Sequence, residues 1–202
     1  MGRWARTSTY PPPGRAGLIR ITLYVEGGLL AAALAAGWLF QRPFWAGYSM
    51  APGALLAGLL AGLAFLALAL FAVDGPWPIT ARLREDIDLL MPLFRNASLP
   101  ELLLISVLAG VGEEALFRGV LQPLLTEYIG LPLALILVSL LFGLLHCISI
   151  PYVVFASLLG AAFGALYAST GNILVPAVAH ASYDFAALVY GVYWRRNAGS
   201  AP

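Results

Sequence analysis

The 202-residue sequence has few of the residues that build most soluble functional sites. It contains one cysteine, two histidines and no lysine, and only 10% of its residues are charged. Soluble globular domains carry about 25% charged residues, whereas 61% of this sequence is hydrophobic. The lone Cys147 excludes an intrachain disulfide and a cysteine-based metal site, and we expect it to be a small buried apolar side chain. The net charge of +1 shows no excess of basic residues of the kind that attracts a nucleic acid.

Apolar residues are abundant, and they occur in runs close to the ~20 residues that cross a bilayer. We therefore predict an all-α, polytopic membrane helical bundle of about six transmembrane helices. The predicted spans are residues 18–40, 52–73, 100–125, 131–150, 151–169 and 173–194. Between the second and third spans, apolar residues at helical spacing predict an amphipathic helix on the membrane surface; they are Leu83, Ile87, Leu90 and Met91.

These spans divide the chain into four parts. Residues 1–17 form a basic cytoplasmic tail, and residues 18–98 form two transmembrane helices plus the amphipathic segment. Residues 99–194 form a membrane core of the last four helices, and residues 195–202 form a second cytoplasmic tail.

The arginines predict the orientation, because cytoplasmic loops carry an excess of positive charge. With the N-terminus inside, Arg42 is the one extramembrane arginine outside, and nine lie inside: Arg3, Arg6, Arg15, Arg20, Arg82, Arg84, Arg95, Arg195 and Arg196. We expect both termini to be cytoplasmic. The Ala-, Gly- and Leu-rich composition, with arginine as the sole basic residue, indicates a prokaryotic inner membrane.

Three ionisable residues interrupt the apolar stretch around Gly110–Val120, which reads GVGEEALFRGV. A charge inside a membrane span is costly, so such residues are functional candidates. Glu114 and Arg118 stand four apart with the acid first, a favourable helical ion pair. Arg118 can thus neutralise Glu114, which leaves Glu113 as the less committed carboxylate. For the Glu114–Arg118 pair we favour a bracing role over a catalytic one.

Both histidines also lie in apolar stretches. His180 and Asp184 are four apart, so the carboxylate can orient the imidazole. At 1.5 Å per residue, Glu113 and His180 fall at a similar depth, while His146 falls about 15 Å nearer the cytoplasm.

One glutamate and two histidines have two standard uses. Glu113, His146 and His180 match a His₂Glu catalytic zinc site, with Zn²⁺ keeping one position open for water. Alternatively, Glu113 with His146 activates water as a general base, while His180 with Asp184 stabilises an oxyanion. In both cases water attacks a carbonyl inside a membrane cavity.

Three motifs appear in order: Glu113-Glu114-x-x-x-Arg118, Phe142-x-x-x-His146 and His180-x-x-x-Asp184. Together they resemble the motifs of the CPBP family of intramembrane proteases, which includes CAAX prenyl proteases of the Rce1 type and the bacteriocin-processing Abi group. The resemblance covers about residues 101–188.

The resemblance implies a conical cavity open to the cytosolic side. It implies that Glu113 is the catalytic base assisted by His146, and that His180 and Asp184 stabilise the oxyanion. Glu114, Arg118 and Phe142 would support these residues. The last motif position is commonly asparagine in the family, whereas a carboxylate at Asp184 donates a hydrogen bond only when protonated.

We therefore predict an intramembrane endopeptidase that cleaves near the cytosolic membrane surface. Its partners would be membrane lipids and a peptide or prenylated protein substrate. A non-catalytic immunity or scaffold protein of the same family is one alternative. An ion- or proton-coupled transporter is another, although we see no broken-helix repeats of the kind transporters use.

Overall fold

A computed structural model describes residues 14–75 and 78–194, and this part of the chain is helical with no strand. The predicted all-α class is confirmed. The helices, in order, are α1 (Arg15–Leu39), α2 (Pro52–Asp74), α3 (Pro78–Phe94), α4 (Leu99–Leu116), a π-helical turn (Phe117–Leu121), α5 (Gln122–Ile129), α6 (Leu131–Leu145), α7 (Ile150–Thr170), α8 (Leu174–Val189) and a second π-helical turn (Tyr190–Trp194). Most of the first predicted tail and all of the second, with Arg3, Arg6, Arg195 and Arg196, lie outside the described residues.

Three described helices are long and apolar enough to cross a membrane: α1, α2 and α7. They correspond to the predicted spans at 18–40, 52–73 and 151–169. Helix α6 is apolar but only 15 residues long, and α4 carries three carboxylates. The total of six spans therefore stays a prediction, as do the boundaries of the four parts.

Helix α6 ends at Leu145, five residues earlier than predicted. His146 follows it with φ −96° and ψ 23°, outside helical geometry, and the chain turns before Ser149 caps α7. One expectation is wrong as a result, because Cys147 lies in this turn and is exposed.

Local capping fixes the start of α4. The Ser98 amide donates to Oε2 of Glu101 at 2.7 Å in a capping box that satisfies amide groups at the helix start. The Arg15 guanidinium reaches the same oxygen at 2.7 Å. The first turns of α1 and α4 are thereby joined at one end of the bundle.

Helix α8 packs between α2 and α4, and glycines allow both contacts. A Cβ atom at Gly58 on α2 would lie 2.8 Å from the carbonyl oxygen of Val175. One at Gly110 on α4 would lie 2.7 Å from the carbonyl oxygen of Ala177. Since real Cβ contacts are not this short, the backbones approach as closely as they do because side chains are missing there. This contact holds α8 against the helix that carries Glu113.

Asn172 joins the two loops at the other end of the bundle. Its Oδ1 accepts from the amides of Ser49 and Leu174, each at 3.1 Å, and its Nδ2 donates to the Ser49 carbonyl oxygen at 2.8 Å. The α1–α2 loop is thus tied to the α7–α8 turn. This amide fixes the entry point of α8, the helix that carries His180.

Candidate active site

A buried arginine organises the inner side of the site. Arg118 is fully buried; its Nη1 lies 2.9 Å from Oε1 of Glu114, and its Nη2 donates to the Gly160 carbonyl oxygen at 2.7 Å. The guanidinium also lies 4.7 Å from the centre of the Phe142 ring. One turn later, Nε2 of Gln122 donates to the next turn of α7 at 3.0 Å. The expected ion pair is therefore present, and the hydrogen bond from Arg118 to Gly160 joins the π-helical turn after α4 to α7.

His180 is held between two carboxylates. Its Nδ1 lies 2.9 Å from Oε1 of Glu114, and its Nε2 lies 3.4 Å from Oδ2 of Asp184. The Phe163 ring stacks on the imidazole, with 4.6 Å between centres and 13° between planes. Because Glu114 bonds both Arg118 and His180, the first and third motifs share one carboxylate oxygen.

Glu113 and His146 approach each other across the cavity. Oε1 of Glu113 lies 3.6 Å from Nε2 of His146, so the depth offset expected from residue counting does not keep them apart. Nδ1 of His146 lies 2.8 Å from the Phe142 carbonyl oxygen, a pure acceptor, and therefore carries the hydrogen. Nε2 is left to face Glu113. Phe142 also stacks on this ring at 4.6 Å.

A cavity of about 270 Å³ opens beside these groups. The residues of its wall that carry polar side chains are Glu113, His146, Tyr152, His180, Tyr183, Asp184 and Tyr190, and the rest is apolar. The second carboxylate oxygen of Glu113 is buried and has no hydrogen-bond partner among the described residues. An unpartnered buried carboxylate oxygen is costly, which suits a group that binds water or substrate.

Comparison with known proteins covers this half of the chain. Residues 95–186 match the family described as "Type II CAAX prenyl endopeptidase Rce1-like". The predicted resemblance is confirmed: this is an Rce1-like segment. The chain is also 34% identical over 107 residues to "Uncharacterized protein YpbD" of Bacillus subtilis (strain 168), a match that covers 52% of each protein. The chain thus spans about half the length of this curated relative, and no solved structure matches significantly.

All seven predicted site residues lie within the Rce1-like segment: Glu113, Glu114, Arg118, Phe142, His146, His180 and Asp184. Five of them line the cavity, and Glu114 and Arg118 lie behind them, with Glu114 bonded to both Arg118 and His180. The similarity to this family supports a protease, and the individual catalytic roles stay predictions.

Part of the cavity comes from outside the Rce1-like segment. Helix α3 lines it with Ile87, Leu90, Met91 and Phe94, and α2 adds a further apolar wall. The spacing of the α3 residues was visible in the sequence, but we assigned that face to the membrane. In the fold, the same apolar face covers the cavity.

Three tyrosines of the cavity wall were missed by sequence reasoning. They are Tyr152, Tyr183 and Tyr190, and their spacing in the sequence does not mark them as site residues.

Glu113, His146 and His180 are the candidate zinc ligands predicted from the sequence. No group of three or more His, Cys, Asp or Glu side chains among residues 14–75 and 78–194 is arranged to hold a metal. Both His180 nitrogens face carboxylates of Glu114 and Asp184 rather than Glu113. Zinc ligation by Glu113, His146 and His180 is therefore unconfirmed, and the chemistry below assigns no step to it.

Proposed function

We propose that this protein is an intramembrane endopeptidase in which Glu113, assisted by His146, activates the attacking water. The observation that carries the proposal is the Glu113 carboxylate at the polar end of an apolar cavity. One of its oxygens is 3.6 Å from His146, and the other is buried without a partner. A general base must be able to reach the proton it takes, and the Glu113 side chain lines the cavity in which the attacking water would lie.

The reaction then proceeds by proton transfers that the side chains can support. Glu113 takes a proton from water as the water oxygen attacks the carbonyl carbon, and the carbonyl electron pair moves to oxygen. When the tetrahedral intermediate collapses, the C–N bond breaks and the amine takes the proton from Glu113. Nε2 of His146, left free by the bond at Nδ1, can hold that proton between the two steps.

His180 provides positive charge near the developing oxyanion. Glu114 and Asp184 can balance an imidazolium at this position, since they lie 2.9 and 3.4 Å from its two nitrogens. The Asp184 contact is the longer one at 3.4 Å, so the Nε2–H group can share its hydrogen between Asp184 and a substrate oxygen. A donor held in place in a dry site stabilises a transition state strongly.

The substrate we propose is a peptide or protein segment that presents apolar groups to the cavity, with or without a prenyl group. The mainly apolar cavity wall supports this choice. Cleavage would occur near the cytosolic surface, in a prokaryotic inner membrane with both termini in the cytoplasm. Membrane lipids would surround the outer helix faces, which carry many exposed leucines.

The test is cleavage of farnesylated and plain fluorogenic peptide libraries by the purified protein in detergent. Glu113→Gln should lower the cleavage rate about 10²–10⁴-fold, the usual contribution of a general base. Glu127→Gln is the matched control, because that carboxylate pairs with Arg42 at the surface and should keep wild-type activity. Equal rates for wild type and Glu113→Gln would refute the proposal.

The alternatives predict different results. A scaffold or immunity protein would fold, bind a partner and cleave no peptide in either library. A proton- or ion-coupled transporter would give flux in proteoliposomes that is lost in Glu113→Gln, again without cleavage.

A further inference from the structure

The predicted oxyanion site is short of hydrogen-bond donors, and this inference rests on the proposed endopeptidase function. Within the His180–Asp184 pair, Nε2–H of His180 is one donor. An ionised Asp184 has acceptors only. Nδ1 of His180 is already bonded to Glu114 at 2.9 Å. A second donor must come from another group on the cavity wall.

Tyr152 lies on the wall of the same cavity as His180. It is in the first turn of α7, where its amide donates to Oγ of Ser149 at 3.3 Å, and Ser149 is in turn hydrogen-bonded to Asp86 of α3. Helices α6 and α7 are in close contact here, because a Cβ atom at Gly143 would lie 2.9 Å from the Ser157 amide nitrogen. The start of α7 is therefore beside the end of α6, where His146 faces Glu113.

The Tyr152 side chain lines the same cavity as Glu113 and Asp184. Its ring packs against Phe155, with 6.4 Å between ring centres. The residue is half-buried. Among residues 14–75 and 78–194, its hydroxyl has no hydrogen-bond partner. The hydroxyl is therefore available to a ligand in the cavity.

We propose that Tyr152 is a catalytic residue whose O–H donates a hydrogen bond to the oxyanion of the tetrahedral intermediate. His180 Nε2–H supplies the other hydrogen bond, and no proton leaves the phenol. Asp184 accepts the same Nε2–H at the longer distance of 3.4 Å, and it does not itself contact the oxyanion. The Tyr152 phenol supplies the hydrogen bond that an ionised Asp184 cannot donate.

The first experiment removes one oxygen atom. Tyr152→Phe should lower kcat about 10²–10³-fold, the cost of losing one oxyanion donor, with KM changed less than about threefold. Tyr167→Phe is the matched control on the same helix and should keep wild-type kinetics. A kcat for Tyr152→Phe within about threefold of wild type would overturn the proposal. So would a large loss in Tyr183→Phe without one in Tyr152→Phe.

A second measurement separates this role from packing. A phosphinic peptide carries a tetrahedral anion in place of the scissile carbonyl, so its affinity should fall by the same factor as kcat/KM. Binding of the matching uncleaved amide peptide to Glu113→Gln should not change when Tyr152→Phe is added. Equal losses for both peptides would assign Tyr152 to structure and reject the proposal.

A rescue variant completes the test. Asp184→Asn places an amide donor beside His180. In that background, the logarithm of the fold-loss in kcat caused by Tyr152→Phe should be less than about a third of its value in the wild type. An undiminished cost would contradict a shared oxyanion.

The results also separate this inference from the proposed function. If wild type neither cleaves peptides nor binds the phosphinic peptide, both fail. If wild type cleaves, Glu113→Gln does not and Tyr152→Phe is fully active, only this inference fails.

Discussion

Removing the buried Arg118 guanidinium should destabilise the fold strongly. Arg118 is completely buried, as is Glu114, and the two charges are 2.9 Å apart. In Arg118→Met, an uncharged and shorter side chain, Glu114 loses its guanidinium partner and the Gly160 carbonyl oxygen loses its donor. Breaking a buried ion pair from one side costs about 3–5 kcal/mol, so the free energy of unfolding should fall by about that amount.

The assay is equilibrium unfolding in mixed SDS and mild-detergent micelles, followed by near-UV circular dichroism. At about 1.4 kcal/mol per factor of ten, the unfolding constant should rise roughly 10²- to 4 × 10³-fold. Arg20→Met is the control, because Arg20 is exposed and, among the described residues, bonds the carbonyl oxygen of Ala16 within its own helix. It should change stability by less than about 0.5 kcal/mol.

The double variant tests the cause. Adding Glu114→Gln to Arg118→Met removes the stranded charge while leaving an acceptor for His180. The double variant should therefore be more stable than Arg118→Met alone, with a coupling energy between the two sites of about 2 kcal/mol or more. A single variant within about 1 kcal/mol of wild type, or additive effects, would refute the reasoning.

Two further predictions concern the ends of the bundle. Asn172→Ala removes three hydrogen bonds to Ser49 and Leu174, so the free energy of unfolding should fall by about 2–3 kcal/mol, at roughly 1 kcal/mol per bond. Asn172→Asp keeps the acceptor and should cost less in the same unfolding assay. Equal costs for the two variants would contradict this assignment. Cys147 is exposed in the α6–α7 turn, and it should resist a membrane-impermeant maleimide in intact cells but react in inverted vesicles. Tyr128→Cys in a Cys147→Ser background should show the opposite pattern. Labelling of Cys147 from outside intact cells would reverse the predicted orientation.

The motifs could be found from the sequence because a charge in an apolar span is rare enough to be informative. The i, i+4 spacing was also sufficient to predict the Glu114–Arg118 pair, since both residues lie on one helix. Contacts between helices were not predictable in this way. His146 reaches Glu113 because α6 ends at Leu145 and the chain turns there, and residue counting assumed a helix that continued to Ile150.

The sequence predicts the apolar face of α3 but not the cavity that this face lines. Spacing shows that Ile87, Leu90 and Met91 share a face, yet it does not distinguish a face covered by lipid from one that covers a cavity. The tyrosines carried no signal for a related reason. Tyr152 lies near Glu113 and Asp184 only because three helices converge, and no local pattern reports that.

The division of the cavity between two stretches of chain has an evolutionary consequence. The groups proposed for bond cleavage come from α4, the α6–α7 turn, α7 and α8, whereas α2 and α3 contribute apolar side chains to the cavity wall. Under the proposed function, substitutions in residues 52–94 would reshape what enters the cavity while the proton-transfer groups stay unchanged. Part of the freedom to change substrate would then lie in the stretch of chain that precedes the Rce1-like segment.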